Sequence, residues 1–317
     1  MPEKIRLGIS TCLLGESVRY DGGHKLDRYL RDILGQYVEY VPVCPEVECG
    51  LPIPRESIRL EGDPDNPRLV TVMTHRDLTA QMKQWGENRL NELECKNLCG
   101  CIFMTKSPSS GMRGIKVFTE RGKTVRRGVG IWARMFMERF PLLPVEDEER
   151  LHNPVIRENF IERVFVFKRW RDMIAAEGKK PGALVRFHTA HKLLVMSHSV
   201  EIYRELGRLV AGGKTYPPAE LFERYIELLA KALKLRATIK KHVNVLHHMT
   251  GYFKTHLDRD EKQELLEIID DYAREFIPLI VPVTLINHYV RKYDQPYLKG
   301  QVYLRPHPVE LKLRNHA

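Results

Sequence analysis

Val43-Cys44-Pro45-Glu46-Val47-Glu48-Cys49-Gly50-Leu51-Pro52 packs two thiols and two carboxylates into the six residues from Cys44 to Cys49. It follows a short apolar, β-rich run, Tyr37-Val38-Glu39-Tyr40-Val41. Pro45, Gly50, Pro52 and Pro54 stop it from continuing as helix or strand. The stretch therefore reads as a loop leaving the carboxyl end of a strand, with Cys44 at the exit. Two other stretches repeat the arrangement. Ile5 to Ser10 is strand-like and ends in Thr11-Cys12-Leu13-Leu14-Gly15, and Cys101-Ile102-Phe103-Met104 leads into Lys106-Ser107-Pro108-Ser109-Ser110-Gly111. If these strands are parallel, their ends share one edge of a sheet, where open α/β sheets place their sites.

Outward from these strands, the first part of the chain alternates strand and helix patterns. A helix is expected over Leu26–Leu34, closed by Gly35. A hairpin is expected between Ser57–Leu60 and Arg68–Met73, and a helix over about Leu78–Glu94. A strand at Ile115–Thr119, a turn at Arg121-Gly122-Lys123 and a helix at Gly130–Phe140 complete the pattern. This alternation predicts a three-layer α/β domain with a mostly parallel sheet over residues 1–145.

Pro141-Leu142-Leu143-Pro144 and the acidic run Glu146 to Glu149 read as the boundary. Beyond it, residues 146–317 read as an all-α helical-bundle domain with helices at Pro154–Ala176, Ala183–Ala211, Pro218–Lys254, Arg259–Ile277 and Pro282–Tyr293. The tail from Asp294 is expected to be extended and to pack back on other elements.

The 317 residues suffice for two domains with their own cores. No apolar run approaches the ~20 residues that span a bilayer, and the start of the chain leads into a strand without a secretory pattern. Six cysteines in such a chain point to reduced thiols and a cytoplasmic location. No membrane partner and no obligate protein partner is indicated. The net charge of +10 is uneven: residues 1–150 hold 23 Lys+Arg against 22 Asp+Glu, leaving 28 against 19 for residues 151–317. An excess of +9 in the helical half points to an anionic partner, nucleic acid being the usual one, or to a basic but solvated surface.

The cysteines carry the chemistry. Among Cys12, Cys44 and Cys49 no pair has Cys-x2-Cys spacing, which argues against a zinc ribbon. Thiolates converging from separate strand ends suit an iron–sulfur centre, and three ligands would leave one iron open to substrate. Buried core cysteines are the competing reading, weakened by the Gly- and Pro-rich loops around them. Cys95, Cys99 and Cys101 form a second group, for which core packing is the better reading.

Ser10-Thr11-Cys12-Leu13-Leu14-Gly15 with Arg19-Tyr20-Asp21-Gly22, Cys44-Pro45-Glu46 with Gly50-Leu51-Pro52-Ile53-Pro54-Arg55, and Lys106-Ser107-Pro108-Ser109-Ser110-Gly111 resemble the three signature blocks of the thiouracil desulfurase (TudS) family. The C-terminal part, with Phe187-His188-x2-His191-Lys192 and His242-x-Asn244-Val245-Leu246-x-His248-x2-Gly251-Tyr252-Phe253, resembles the helical domain of the tRNA 4-thiouridine desulfidase (RudS) group. The resemblance implies a 4Fe–4S cluster held by three cysteines and non-redox desulfuration of a thiolated pyrimidine, 4-thiouridine in tRNA above all. Desulfuration of free thiouracil-type bases, or a non-catalytic iron–sulfur or RNA-binding role, are the alternatives. It further implies Glu46 as catalytic carboxylate, Ser107 as a hydrogen-bonding catalytic partner, and Arg19, Tyr20, Asp21, Lys106, Ser109 and Ser110 as substrate-binding residues.

One departure from the family pattern bears on the cofactor. The third block usually ends Ser-Pro-Ser-Cys-Gly, but Ser110 stands here in place of that cysteine. An alkoxide is a hard ligand for iron, so the expected set is Cys12, Cys44 and Cys49, with Cys99 or Cys101 as alternatives to Cys49 and a degenerate, cluster-free protein as the remaining possibility. In the basic half, Lys234, Arg236, Lys240, Lys241 and Lys254 are the expected RNA contacts, with Tyr252 and Phe253 as stacking partners for unpaired bases. Helical spacing would put Lys234, Lys241 and His248 on one stripe. Arg186, His188, His191, Lys192 and His198 read as a phosphate-facing or structural set rather than a metal site.

Overall fold

The structure, a computed structural model, describes residues 4–119 and 123–316. Its first unit, up to Asn153, contains β1 (Ile5–Ser10), β2 (Val38–Val43), α1 (Pro45–Glu48), β3 (Ile58–Glu61), β4 (Arg68–Thr71), α2 (Thr79–Glu94), β5 (Cys101–Phe103), β6 (Ile115–Phe118), β7 (Thr124–Gly128), α3 (Ile131–Arg139), β8 (Val145–Asp147) and α4 (Glu148–Leu151). β1 is apolar and buried at nearly every position, as a strand covered on both faces requires. It lies centrally in a four-stranded sheet of order β2-β1-β5-β8, every pair parallel. The β1–β2 register runs from Ile5 opposite Val38 to Ser10 opposite Val43, so both strands end level.

A second sheet, of order β4-β3-β6-β7, mixes antiparallel hairpins with one parallel pair. The expected hairpin is β3–β4, paired from Ile58 opposite Thr71 to Glu61 opposite Arg68. Leu60, Leu69, Leu78, Met82, Ile115, Val117 and Ile131 form a core between this sheet and helices α2 and α3. The turn expected at Arg121-Gly122-Lys123 rests on residues 121 and 122, outside the described set. The helix expected at Leu26–Leu34 is only a π turn at Tyr29–Ile33 followed by a 3-10 turn at Leu34–Gln36. Gly35 lies within that second turn and does not close a helix.

The acidic run after Pro144 belongs to this unit. Val145–Asp147 is the edge strand of the parallel sheet, and Asp147 then caps α4 by accepting from Arg150 N. The unit thus closes at Asn153 rather than at residue 145, because a strand register and a helix cap both fall within the charged segment.

The second unit, Pro154–Ala317, is largely helical: α5 (Pro154–Glu177), α6 (Pro181–His198), α7 (Val200–Ala211), α8 (Pro218–Lys234), α9 (Ile239–Thr250), α10 (Arg259–Ala273), α11 (Ile280–Lys292) and α12 (Pro296–Lys299). Two helices expected as continuous are each broken. Ser199, extended at φ −156°, accepts from Ile202 N to cap α7, and the chain turns between Lys234 and Ile239. Leu221, Tyr225, Leu229 and Leu233 line the buried side of α8 at helical spacing. The tail packs within this unit, with Arg314 buried and its carbonyl accepting from Ile280 N at 3.1 Å. Among the described residues, no helix is long and apolar enough to cross a membrane.

Candidate functional site

The parallel sheet delivers four chain ends to one edge. β1 runs into a 3-10 turn, Thr11–Leu14, which carries Cys12 and ends at Gly15 with φ +97°, a left-handed conformation that favours glycine. β2 runs into Cys44, the first residue before α1. β5 leads to the serine loop, and β8 leads to Glu148 in α4. A cavity of about 700 Å³ opens there, and Cys12, Cys44, Glu46, Ser107 and Ser110 all line it.

Glu46 is held from both sides. Oε1 accepts from Ser109 Oγ at 2.5 Å and from Ser107 Oγ at 3.5 Å, while Oε2 pairs with Arg55 Nη2. Arg55 is itself fixed by the carbonyls of Val18 (2.9 Å) and Pro52 (3.3 Å). Ser107 Oγ also accepts from the backbone N–H groups of Ser109 (3.3 Å) and Ser110 (3.1 Å), which curls the loop on itself. The first turn of α3 clamps this loop, since Ile131 N and Ala133 N donate to the carbonyls of Pro108 and Ser109.

The two cavity thiols are close enough to oppose each other's ionisation. Burial, with the neighbouring Cys44 adding to it, pushes the Cys12 thiol up to about 11, and burial raises Cys44 as well. Arg19 beside Cys12 and Arg55 beside Cys44 act in the opposite direction without offsetting burial. Cys49 stands elsewhere. It ends α1, five residues after Cys44, a rotation of about 140° on a helix of 3.6 residues per turn. Its Sγ donates to the Glu46 carbonyl at 3.3 Å, its side chain packs on the Leu60–Leu69 core, and it does not line the cavity. Cys99 and Cys101 are buried in the sheet, Cys101 against Gly8. Among the described residues, no three His, Cys, Asp or Glu side chains are gathered as a metal site. Cys12, Cys44 and the Ser110 hydroxyl do share the cavity and come from three adjacent strand ends. Their placement at one sheet edge suits a cluster there, with a hydroxyl where the family pattern has a cysteine, while the expected third ligand, Cys49, lies off the cavity.

Arg19, Tyr20, Asp21 and Lys106 line the same cavity. Arg19 and Asp21 pair at 3.6 Å, and Lys106 pairs with Glu149 at 3.0 Å. Ser109 is fully buried and bonds Glu46, so it supports the carboxylate without lining the cavity. Glu48 accepts from Cys44 N at 2.8 Å and does not reach the cavity. Three participants carry no signal of their role in the sequence. Arg55 stands there only as the end of a motif. Lys25 lines the cavity and pairs with Glu148 at 2.6 Å, and Glu148, almost wholly buried, also accepts from Thr105 N at 2.7 Å. Glu148 reads as one member of a surface acidic run, and only its register after β8 turns it inward.

In the second unit, the expected basic set is dispersed. Lys234 ends α8 and Lys241 lies on α9, so the break between them dissolves the proposed stripe. Lys241 Nζ is used internally, donating to the carbonyls of His198 (2.6 Å) and Arg236 (2.9 Å). Arg236, Lys240 and Lys254 are exposed. Phe253 is buried and Tyr252 stacks on Tyr297 at 4.8 Å. His188, His191 and His198 are buried in α6 and do not face phosphate. His198 has both ring nitrogens engaged, Nε2 with Glu162 Oε1 and Nδ1 with the Leu235 carbonyl, each at 2.6 Å.

Residues 7–148 match the 2-thiouracil desulfurase family, and residues 192–308 match a family described as protein of unknown function (DUF1722). Among curated proteins, the uncharacterized protein YbgA of Escherichia coli (strain K12) is 35% identical over 139 residues, covering 44% of this chain and 82% of that protein. Among solved structures, a 4Fe–4S-dependent thiouracil desulfidase, TudS, is 30% identical, with a TM-score of 0.39 over 47% of this chain and 94% of that one. The chain therefore joins a 2-thiouracil desulfurase family segment to a DUF1722 segment and belongs to the same family as Escherichia coli YbgA.

Proposed function

We propose that this protein removes sulfur from a thiolated uracil ring, exchanging C=S for C=O with water and releasing hydrogen sulfide, without net oxidation or reduction. One observation carries the reading. Within a segment matching the 2-thiouracil desulfurase family, Glu46 is fixed by Arg55 and Ser109 on a cavity that also presents Cys12 and Cys44.

Cys12 and Cys44 would hold an iron–sulfur cluster at this edge, and that group, when bound, supplies a soft Lewis acid for the departing sulfur. The remaining work falls to the chain's own side chains. Glu46 Oε1 takes a proton from the water that attacks the thiocarbonyl carbon, and later returns it toward the leaving sulfur. Arg55 holds Oε2 in an ion pair, which leaves Oε1, bonded to the Ser109 and Ser107 hydroxyls, as the oxygen that exchanges the proton in this reading. Ser107 Oγ, 3.5 Å from the same oxygen, donates to the ring or to the oxygen that forms on it. Arg19 and Tyr20 offer a guanidinium and an exposed aromatic face to a planar ring.

The ring's carrier is, in this reading, tRNA bearing 4-thiouridine. The +9 excess of residues 151–317 supports a polyanionic partner, and Arg236, Lys240 and Lys254 are the exposed cations through which it would bind. The test is sulfide release under anaerobic conditions from 2-thiouracil, 4-thiouridine and thiolated tRNA, using protein reconstituted with iron and sulfide. Faster release from tRNA that weakens steeply with salt supports the full reading. Release from the free base alone overturns the tRNA part, and release from none of the three overturns the activity.

A further inference from the structure

Two neighbouring strand ends bring thiols to the cavity, and the third brings a serine. Ser110 is 3% exposed and lines the cavity with Cys12 and Cys44. Its neighbours in the loop are committed: Ser109 Oγ donates to Glu46, and Ser107 Oγ accepts two backbone N–H groups. The Ser110 hydroxyl is not. Among the described residues its one hydrogen-bond partner is Ser109 Oγ, at the 3.5 Å limit. A buried hydroxyl held that loosely has its bonding capacity left for something in the cavity.

The backbone of Ser110 cannot withdraw from this position. Its N–H is tied to Ser107 Oγ, and Gly130 lies so close beneath that an added Cβ would come within 2.9 Å of Ser110 N. Two other donors on the cavity wall, Glu46 and His24, are less suited. Glu46 is occupied by Arg55 and Ser109. His24 is exposed, and its Nδ1 accepts from Leu26 N at 3.3 Å.

We infer that Ser110 Oγ is the third protein ligand of the iron–sulfur cluster, so the site uses two thiolates and one alkoxide and leaves Cys49 out. This rests on the cluster-holding part of the function proposed above. On ligation the O–H bond of Ser110 is exchanged for an O–Fe bond, and the proton leaves to solvent with no electron transferred. An alkoxide is a harder donor than a thiolate and favours ferric iron, so the cluster's reduction potential lies below that of an all-thiolate equivalent.

The test is anaerobic reconstitution of the full chain with ferrous iron and sulfide, as wild type, Ser110→Cys, Ser110→Ala, Cys49→Ala and Cys12→Ala. Iron per chain, visible absorption and reduction potential are read for each. Ser110→Cys is expected to raise the potential and shift the charge-transfer bands to longer wavelength. Ser110→Ala should shorten the cluster's lifetime several-fold. Cys49→Ala should match wild type, and Cys12→Ala should lose iron. Loss of iron in Cys49→Ala to the same extent as in Cys12→Ala would overturn the inference, as would spectra of both Ser110 variants identical to wild type. A wild type that takes up no iron overturns the inference and the cluster together. An iron-loaded wild type from which Ser110→Cys shifts as expected, but which releases no sulfide from any thiolated substrate, supports the ligand and overturns the desulfurase reading.

Discussion

Arg55 meets Glu46 from the side away from the serine loop, pairing with Oε2 while Oε1 accepts from Ser109 at 2.5 Å. The Arg55 side chain is 4% exposed and its guanidinium also binds the Val18 and Pro52 carbonyls, so it is a fixed clamp. Arg55→Lys keeps the charge but loses the fork that reaches three acceptors. The expected result is a fall in kcat of at least tenfold with KM little changed, because orientation of the carboxylate is lost and substrate contacts are not. Glu46→Gln removes the proton acceptor itself and is expected to lower kcat by about 10²–10⁴ with iron content unchanged. Steady-state sulfide release and iron analysis on the same preparations check both, and wild-type turnover in Glu46→Gln would remove it from the mechanism.

Gly130 underlies the serine loop. A Cβ there would lie 2.4 Å from the Ser109 carbonyl oxygen, a backbone atom that cannot rotate away. Gly130 has φ −58°, so alanine is excluded by space and not by backbone conformation. Gly130→Ala should cost about 1–3 kcal/mol by overpacking and displace Ser109 from Glu46. Thermal unfolding and sulfide release should fall together, and an unchanged melting temperature would show that the loop yields.

Much of this site is legible in the amino-acid sequence, because motifs at strand ends carry positional information. The strands leading to Cys12, Cys44 and the serine loop are where the apolar runs put them, and parallel pairing brings their ends together. Position around a short helix is not legible in the same way. Cys49 follows Cys44 by five residues, yet α1 turns it onto the Leu60–Leu69 core. Long-range pairing is equally hidden: nothing near Glu148 names Lys25, 123 residues away. Helix breaks at Ser199 and after Lys234 depend on capping and tertiary packing, which periodicity does not encode.

Arg314 binds Glu158 at 3.2 Å, Glu162 at 3.4 Å and the Tyr303 carbonyl at 2.6 Å, with the guanidinium side chain 3% exposed. Arg314→Met leaves the carboxylates of Glu158 and Glu162 without their guanidinium partner, though His316 and His198 still touch them. The expected loss is about 3–5 kcal/mol, and adding Glu162→Gln should recover part of it, since the two residues share one network. Urea unfolding of the two single variants and the double variant checks the coupling. Strict additivity would mean that the pair does not interact.

The buried histidines make the helical unit sensitive to acid. Burial pushes His188 down to about 4 and His191 and His242 down to about 3, with Lys192, Arg169 and Arg314 respectively adding in the same direction. Below pH 6.5 the unfolded chain takes up protons at these rings that the folded chain refuses. Their contribution is therefore fully present above pH 6.5 and is lost as pH falls toward 4 and then 3, at up to roughly 1.4 kcal/mol per pH unit for each ring. Glu162 adds to the trend at lower pH. Burial alone would raise it, but His198 and Arg314 hold it down to about 2, so its contribution is fully present above pH 4.5 and is lost as pH falls from there toward 2. Urea unfolding at pH 7.5, 6.5, 5.5 and 4.5 should show stability level between the first two and falling steadily after. His188→Gln should flatten part of the slope, since its ring nitrogen meets only Tyr225 OH, at 3.2 Å. A profile level down to pH 4.5 would show that these rings take up protons in the folded state.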